Sequence, residues 1–301
     1  MKNHIARISI LFLACAPLHR ASAQNTDTTL YDIKEKPQLI SAQFGFTEGT
    51  SVDKKGNVFF TDQNNNKIWE YDINDKLSLF MDSAGRSNGT MFDRKGNLIT
   101  CADEHNQLWS ISPKKKVKVL LTNFNGKLMN GPNDVWVDKK GNIFFTDPYY
   151  QRTWWERKKS ELDGQKVYYL PKGKTTPVVV IDDLMQPNGI VGTPDGKYLY
   201  IADIRGRKTY RYLIGKNGAL TDKKLVMNQG SDGMTLDERG NLYLTGRGVA
   251  VFDSTGKKIA QIDTPNGHSA NVCFGGVKRD RLVIAATESV YVLKMKVHGV
   301  E

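Results

Sequence analysis

The sequence is short of the side chains from which nucleophilic and zinc sites are built, with three cysteines and five histidines in 301 residues. No Ser-His-Asp or Cys-His arrangement is suggested by their positions, so a protein nucleophile is not expected. Long apolar runs are also missing. A membrane helix needs about 20 apolar residues, and the one candidate, Ile8 to Ala16, is too short. Helix-period stretches with capping residues are absent, which excludes helical repeats. Acidic residues are the scarcer charge, 32 against 43 Lys and Arg, for a formal net charge of +11. The excess lysines nevertheless sit in short turns such as Lys54-Lys55, Lys139-Lys140 and Lys223-Lys224, with one run at Lys114 to Lys116. No aromatic stacking motif accompanies them, so no nucleic-acid partner is expected.

What is present begins with a leader. Lys2 and Arg7 precede the apolar run, and Ala21-Ser22-Ala23 offers the small residues of a signal-peptidase site. The expectation is a signal peptide over 1–23, an N-terminal extension over 24–36 and a single domain over 37–298, in a periplasmic or secreted protein. A lipoprotein signal ending at Cys15 is the less favoured alternative. Removal of the leader leaves Cys101 and Cys273, read as small buried apolar residues rather than a disulfide.

The rest of the chain repeats itself. TEGTSVDKKGNVFFTD returns as RSNGTMFDRKGNLITCAD, GPNDVWVDKKGNIFFTD, QPNGIVGTPDGKYLYIAD and GSDGMTLDERGNLYLTG, with a degenerate sixth copy in ANVCFGGVKRDRLVIAA. The turn glycines Gly56, Gly96, Gly141, Gly196 and Gly240 lie about 40, 45, 55 and 44 residues apart, a period suited to a four-stranded blade. Arg279 takes the equivalent place in the sixth copy. Each copy reads as alternating apolar residues, a tight turn and a run of Val, Phe, Tyr and Thr, which describes a hairpin. The fold class predicted is all-β, a six-bladed β-propeller with four antiparallel strands per blade. In the first copy the strands are placed at Thr50 to Asp53, Asn57 to Thr61, Ile68 to Asp72 and Leu77 to Met81. The sixth copy lacks an outer strand, and Leu39 to Phe44 is expected to close the ring.

Eight residues before each turn marker stand Glu48, Asn88, Asn133, Asn188, Asp232 and Asn271. The innermost strands of a propeller meet around its axis, so this shared register predicts a ring of oxygen-bearing side chains at one mouth. Asn and Asp also serve as ordinary turn residues, but a turn does not ask for Glu, and six polar residues in one register favour a ligand ring. Two carboxylates among amides suit a hard cation, calcium first, with zinc, manganese or magnesium as alternatives. Without it Glu48 and Asp232 would repel each other. The longest interval holds an inserted loop, DPYYQRTWWERKKSELDGQK, whose Tyr149, Tyr150, Trp154 and Trp155 are read as a substrate wall or lid over the same mouth. His105, Asp203 and Arg247 follow the second strands of their blades and are expected to rim it.

These segments resemble the gluconolactonase, regucalcin and lactonase-like hydrolases, from about Ser41 to Lys294, most specifically in GPNDVWVDKKGNIFFTDPYY, MQPNGIVGTPDGKYLYIADI and GSDGMTLDERGNLYLTGRGVAVFDSTGK. The resemblance implies a six-bladed propeller whose divalent ion is held by Glu48, Asn133, Asn188 and Asp232. Two departures stand out: Thr50 replaces a proline common after Glu-Gly, and Gly131 replaces a substrate-binding arginine of animal members. The implied reaction is hydrolysis of a sugar lactone, with Asp232 orienting or deprotonating water and His105 assisting proton transfer. Asn88 and Asn133 would hold substrate hydroxyls, with Asn271 beside them, in a monomer or weak homodimer. A phosphotriester hydrolase on the same ion, and a non-catalytic propeller stapled by calcium, are the competing expectations.

Overall fold

The computed structural model describes residues 26–301; the leader and Cys15 lie outside them. Six four-stranded antiparallel sheets are arranged as blades. The first blade runs Thr47–Val52, Val58–Asp62, Lys67–Tyr71 and Leu77–Asp82, counting outward from the axis. The inner strands of the next four blades are Ser87–Phe92, Val135–Val137, Pro187–Gly192 and Met234–Leu236. The sixth blade is Asn271–Gly275, Arg281–Ala286 and Ser289–Lys294, and its outer strand is Gln38–Ser41 from the start of the chain. The closing strand is therefore shorter than the expected Leu39 to Phe44. A bulge after Leu39 disturbs its register with Tyr291 and Val290, and Phe44 turns inward to pack edge-on against Phe60 and Trp69. The only helical pieces among the described residues are the single turns Asp103–His105 and Lys216–Gly218.

The turn marker has a plain cause. Gly56, Gly96, Gly141, Gly196 and Gly240 all adopt positive φ, where a side chain is strained. Arg279, in the sixth copy, takes the same conformation at φ 55°. An aspartate opens this turn in four of the blades: Asp53 Oδ1 accepts the backbone N–H groups of Lys55, Gly56 and Asn57, and Asp93, Asp138 and Asp237 hold their turns with the same oxygen.

Apolar faces of neighbouring blades pack into separate clusters between blades, such as Ile99, Leu108, Val135, Phe145 and Tyr168 between the second and third. The residues before the closing strand are not a loose extension. Leu30 and Tyr31 are buried against Tyr243, Val272 and Tyr291 of the fifth and sixth blades. Residues after 298 also join the fold, with Gly299 bridging Asp237 and the Val300 N–H donating to Leu236 O. Cys101 and Cys273 are free and buried. No described helix is long and apolar enough to cross a membrane.

Candidate active site

The inner strands begin at one end of the channel, and they approach closely there. A Cβ on Gly49 would lie 1.9 Å from the carbonyl oxygen of Asn88, and one on Gly233 would lie 2.5 Å from the side-chain carbon of Asn271. The glycine after a register residue thus admits the register residue of the next blade. Backbone bonds continue the ring: Gly89 N–H donates to Asn133 O at 2.7 Å, and Ile190 N–H donates to Asp134 Oδ2 at 3.1 Å. The Asn271 amide closes it, donating to Glu48 Oε2 at 3.3 Å. All six register residues therefore line one mouth, although Asn133 and Asp232 stand just ahead of their strands rather than within them.

Their side chains divide by role. Asn271 has its oxygen occupied, accepting from Thr50 Oγ1 and Val272 N–H, so its amide serves to hold Glu48. The side chains of Asn88 and Asn133 make no hydrogen bond among the described residues, though both residues are buried. Asn188 donates through Nδ2 to the Tyr150 hydroxyl at 3.0 Å, while its Oδ1 is sealed from solvent with no partner. A buried acceptor left unmatched in this way costs free energy unless a donor or a cation meets it. Burial, and then the charges of Asp232 and Asp134, push Glu48 well above the usual carboxylate range. Asp232 is pushed up as well, burial being the main cause. Among the described residues no three His, Cys, Asp or Glu side chains gather as a metal cluster. An ion here would rely on two carboxylates and amide oxygens, a donor set that suits a hard cation. The orphaned Asn188 oxygen and the raised carboxyls fit such an ion.

A polar cavity of about 630 Å³ opens beside Asp232, with Arg207, Arg247, Asp263 and His268 in its walls. Below the ring the channel narrows to a void of about 20 Å³ bounded by Thr50, Asp134, Asn271 and Glu301, which leaves the mouth as the way in. Arg247 is exposed at this cavity, as its position after a second strand predicts. His105 makes no contact with the register residues among the described contacts: its half-exposed ring stacks on Trp109 at 5.9 Å and lies 4.0 Å from Glu104. The histidine beside the ring is His268, with Nε2 3.9 Å from Asp232 Oδ2. Sequence reasoning missed it by searching only the residues that follow second strands, whereas His268 lies three before a register residue. Asp203 is also spent on the framework. Its oxygens accept the N–H groups of Met185, Gln186 and Gly206, much as Asp62 holds Gly45 and Phe46 and Asp147 holds Asn130 and Gly131. These carboxylates fasten the start of an inner strand to the end of its neighbour.

The inserted loop, residues 148–165, is strapped across the mouth. Asp103, buried in the second blade, accepts from Arg152 Nε at 2.7 Å and from Gln63 Nε2 at 3.0 Å, and its carbonyl accepts from Trp155 Nε1. Burial pushes its carboxyl up to about 6 despite that arginine. A Cβ on Gly131 would meet both Asp103 and the Trp155 ring, so the space an arginine would need there is filled. Trp154 lies under the Arg86 guanidinium at 4.6 Å. Tyr149 donates to Gln151 and leans on Trp155. Tyr150 alone among these rings bonds to the register residues, and burial pushes its hydroxyl up to about 12.

Residues 46–288 match the SMP-30/Gluconolactonase/LRE-like region. The chain belongs to that family. It is 30% identical over 197 residues to a gluconolactonase of Zymomonas mobilis, covering 60% of this chain and 55% of that protein. The chain spans about half the length of the curated relatives it matches first. Two solved structures share the fold: a gluconolactonase from Xanthomonas campestris, 23% identical with a TM-score of 0.79, and regucalcin from Agrobacterium tumefaciens, a calcium-binding protein, 17% identical with a TM-score of 0.73. Each covers 87% of this chain and 95% of the other.

Proposed function

We propose that this family member hydrolyses sugar lactones at the mouth of the ring, with one divalent cation, calcium first, held by Glu48, Asn133, Asn188 and Asp232. The observation that carries the reading is the pairing of two raised carboxyls with the orphaned Asn188 oxygen, one of those carboxyls, Asp232, lining an open cavity. Similarity to the Zymomonas gluconolactonase supports the reaction class, and likeness to the calcium-binding regucalcin supports the choice of ion.

A cation bound there supplies Lewis-acid polarisation of the ester carbonyl. The chain's own groups do the rest. Asp232, its side chain 15% exposed to the cavity, takes a proton from the attacking water. Water oxygen bonds to the carbonyl carbon, the ring C–O bond breaks, and the departing alkoxide regains the proton, giving the hydroxy acid. His268, 3.9 Å from Asp232, replaces His105 as the group that steadies or relays that proton. Asn88 and Asn133, with unpaired amides, hold substrate hydroxyls, and Tyr150 fixes the Asn188 amide so that its oxygen faces the ion. The leader places the protein outside the cytoplasm in this reading.

The test is turnover of a panel of aldonolactones by chelated and calcium-loaded protein, with Asp232→Asn alongside. Calcium-dependent ring opening that Asp232→Asn loses while keeping its fold and its bound ion supports the reading. Ring opening no faster than in buffer, for every lactone, refutes it.

A further inference from the structure

The inserted loop carries a cation whose two outer nitrogens the framework does not use. Arg152 bonds to Asp103 through Nε alone, although a buried carboxylate and an arginine that served only as a staple would pair as a two-pronged fork. Asp103 is already tied to Gln63 and Trp155. Neither Nη of Arg152 has a hydrogen-bond partner among the described residues, and neither is sealed from solvent, the side chain being 19% exposed. Arg157, five residues on, shows the opposite pattern: its Nη2 donates to the Asn130 carbonyl, its guanidinium covers Trp155 at 4.3 Å, and its remaining nitrogens are shut in.

The Arg152 guanidinium is also held in place. It lies 5.4 Å from the Tyr150 ring centre and 5.6 Å from that of Trp154, and Tyr150 touches Asn188 of the ring. A planar, permanently charged donor pair fixed from behind and open in front is a pre-organised receptor for a carboxylate. The cavity beside Asp232 has Arg207 and Arg247 in its walls against one further acid, Asp263, and two of the mouth's acids, Glu48 and Asp232, are the ones proposed to face the ion. The free charge presented to an incoming molecule is therefore positive.

We propose that Arg152 is a substrate-binding residue whose two Nη groups select lactones bearing a carboxylate, such as monolactones of aldaric acids, over neutral aldonolactones. This rests on the hydrolase reading and sharpens it. The pair of substrates that isolates the charge is the γ-lactones of glucaric and gluconic acid, which differ in one carboxylate. With calcium-saturated full-length protein, kcat/KM is expected to favour the glucaric lactone by about tenfold or more, chiefly through KM. Arg152→Met is expected to cut that preference by at least about tenfold, and Arg152→Lys, which keeps charge but not the fork, to retain part of it. A wild type that treats both lactones alike, or a preference that both variants keep, overturns the assignment.

Melting curves of both variants report whether the fold survives, and Arg152→Lys carries the test if the methionine form does not. If neither lactone is opened, the hydrolase reading falls by itself. The arginine is then tested by calorimetry with glucarate and gluconate. Tighter glucarate binding that weakens in the variants supports the carboxylate receptor, and equal binding refutes it.

Discussion

Replacing Glu48 by Gln should make the protein more stable when no divalent ion is present and deaf to calcium when it is. Glu48 is 4% exposed, and among the described residues its carboxylate accepts only the neutral Gly49 N–H and Asn271 amide donors at 3.2 and 3.3 Å. An ionised carboxylate so buried, with Asp232 and Asp134 raising it further, carries a penalty of several kcal/mol. Glutamine keeps an acceptor for both donors and removes the charge. A gain of about 2 kcal/mol at pH 8 in chelator is expected, corresponding to a melting shift of about 4–8 °C. The pH dependence has a definite sign. Both carboxyls titrate higher in the folded chain than in the unfolded one, so the folded state binds more protons between the two values. Stability from this source is complete below the ordinary carboxylate range near about pH 4 and is lost as pH climbs through the raised values. The advantage of Glu48→Gln should therefore grow from acid toward pH 8. Calcium at about a hundredfold its Kd should raise the wild type by about 2.7 kcal/mol and leave the variant nearly unmoved. Differential scanning calorimetry with and without chelator reads both effects. A variant less stable than wild type at pH 8 in chelator, or one that gains as much from calcium, would refute the reasoning.

Asp203→Ala should lower stability by about 2–4 kcal/mol, because three backbone N–H groups lose their acceptor; chemical denaturation checks this, and a loss below about 0.5 kcal/mol would return Asp203 to the substrate. His105→Ala should change kcat/KM for the best lactone by less than about twofold, since its ring rests on Trp109, whereas His268→Ala should cost about tenfold or more; steady-state kinetics on the two variants decide which histidine serves the site. Tyr150→Phe should weaken calcium about tenfold by freeing the Asn188 amide, read by competition against a fluorescent chelator.

The parts of this molecule set by local repetition were legible in its sequence. A turn marker at positive φ, glycine in five blades and Arg279 in the sixth, stands at a fixed distance from Glu48, Asn88, Asn133, Asn188, Asp232 and Asn271, so one register aligned six distant residues. What stayed hidden depends on contacts made once. Nothing local distinguishes Asp203, which clamps a strand start, from an aspartate facing the mouth; the comparison with Asp62 and Asp147, at nearly the same offset from their turn glycines, was the available signal. Asn271 shares the register of the ligands, yet Thr50 and Val272 claim its oxygen from either side. The burial of Leu30 and Tyr31 follows from where the closing strand brings the chain, against the fifth and sixth blades. The inserted loop was readable as a wall from its aromatics, but its anchoring through Arg152 joins residues 49 apart in sequence.

The most direct measurement is the anomalous scattering of manganese soaked into crystals of the full-length protein. One strong peak within ligand distance of oxygens from Glu48, Asn133, Asn188 and Asp232, displaced by excess calcium, is the predicted result. No peak between those four side chains, or a sole peak elsewhere on the chain, would contradict the proposed centre.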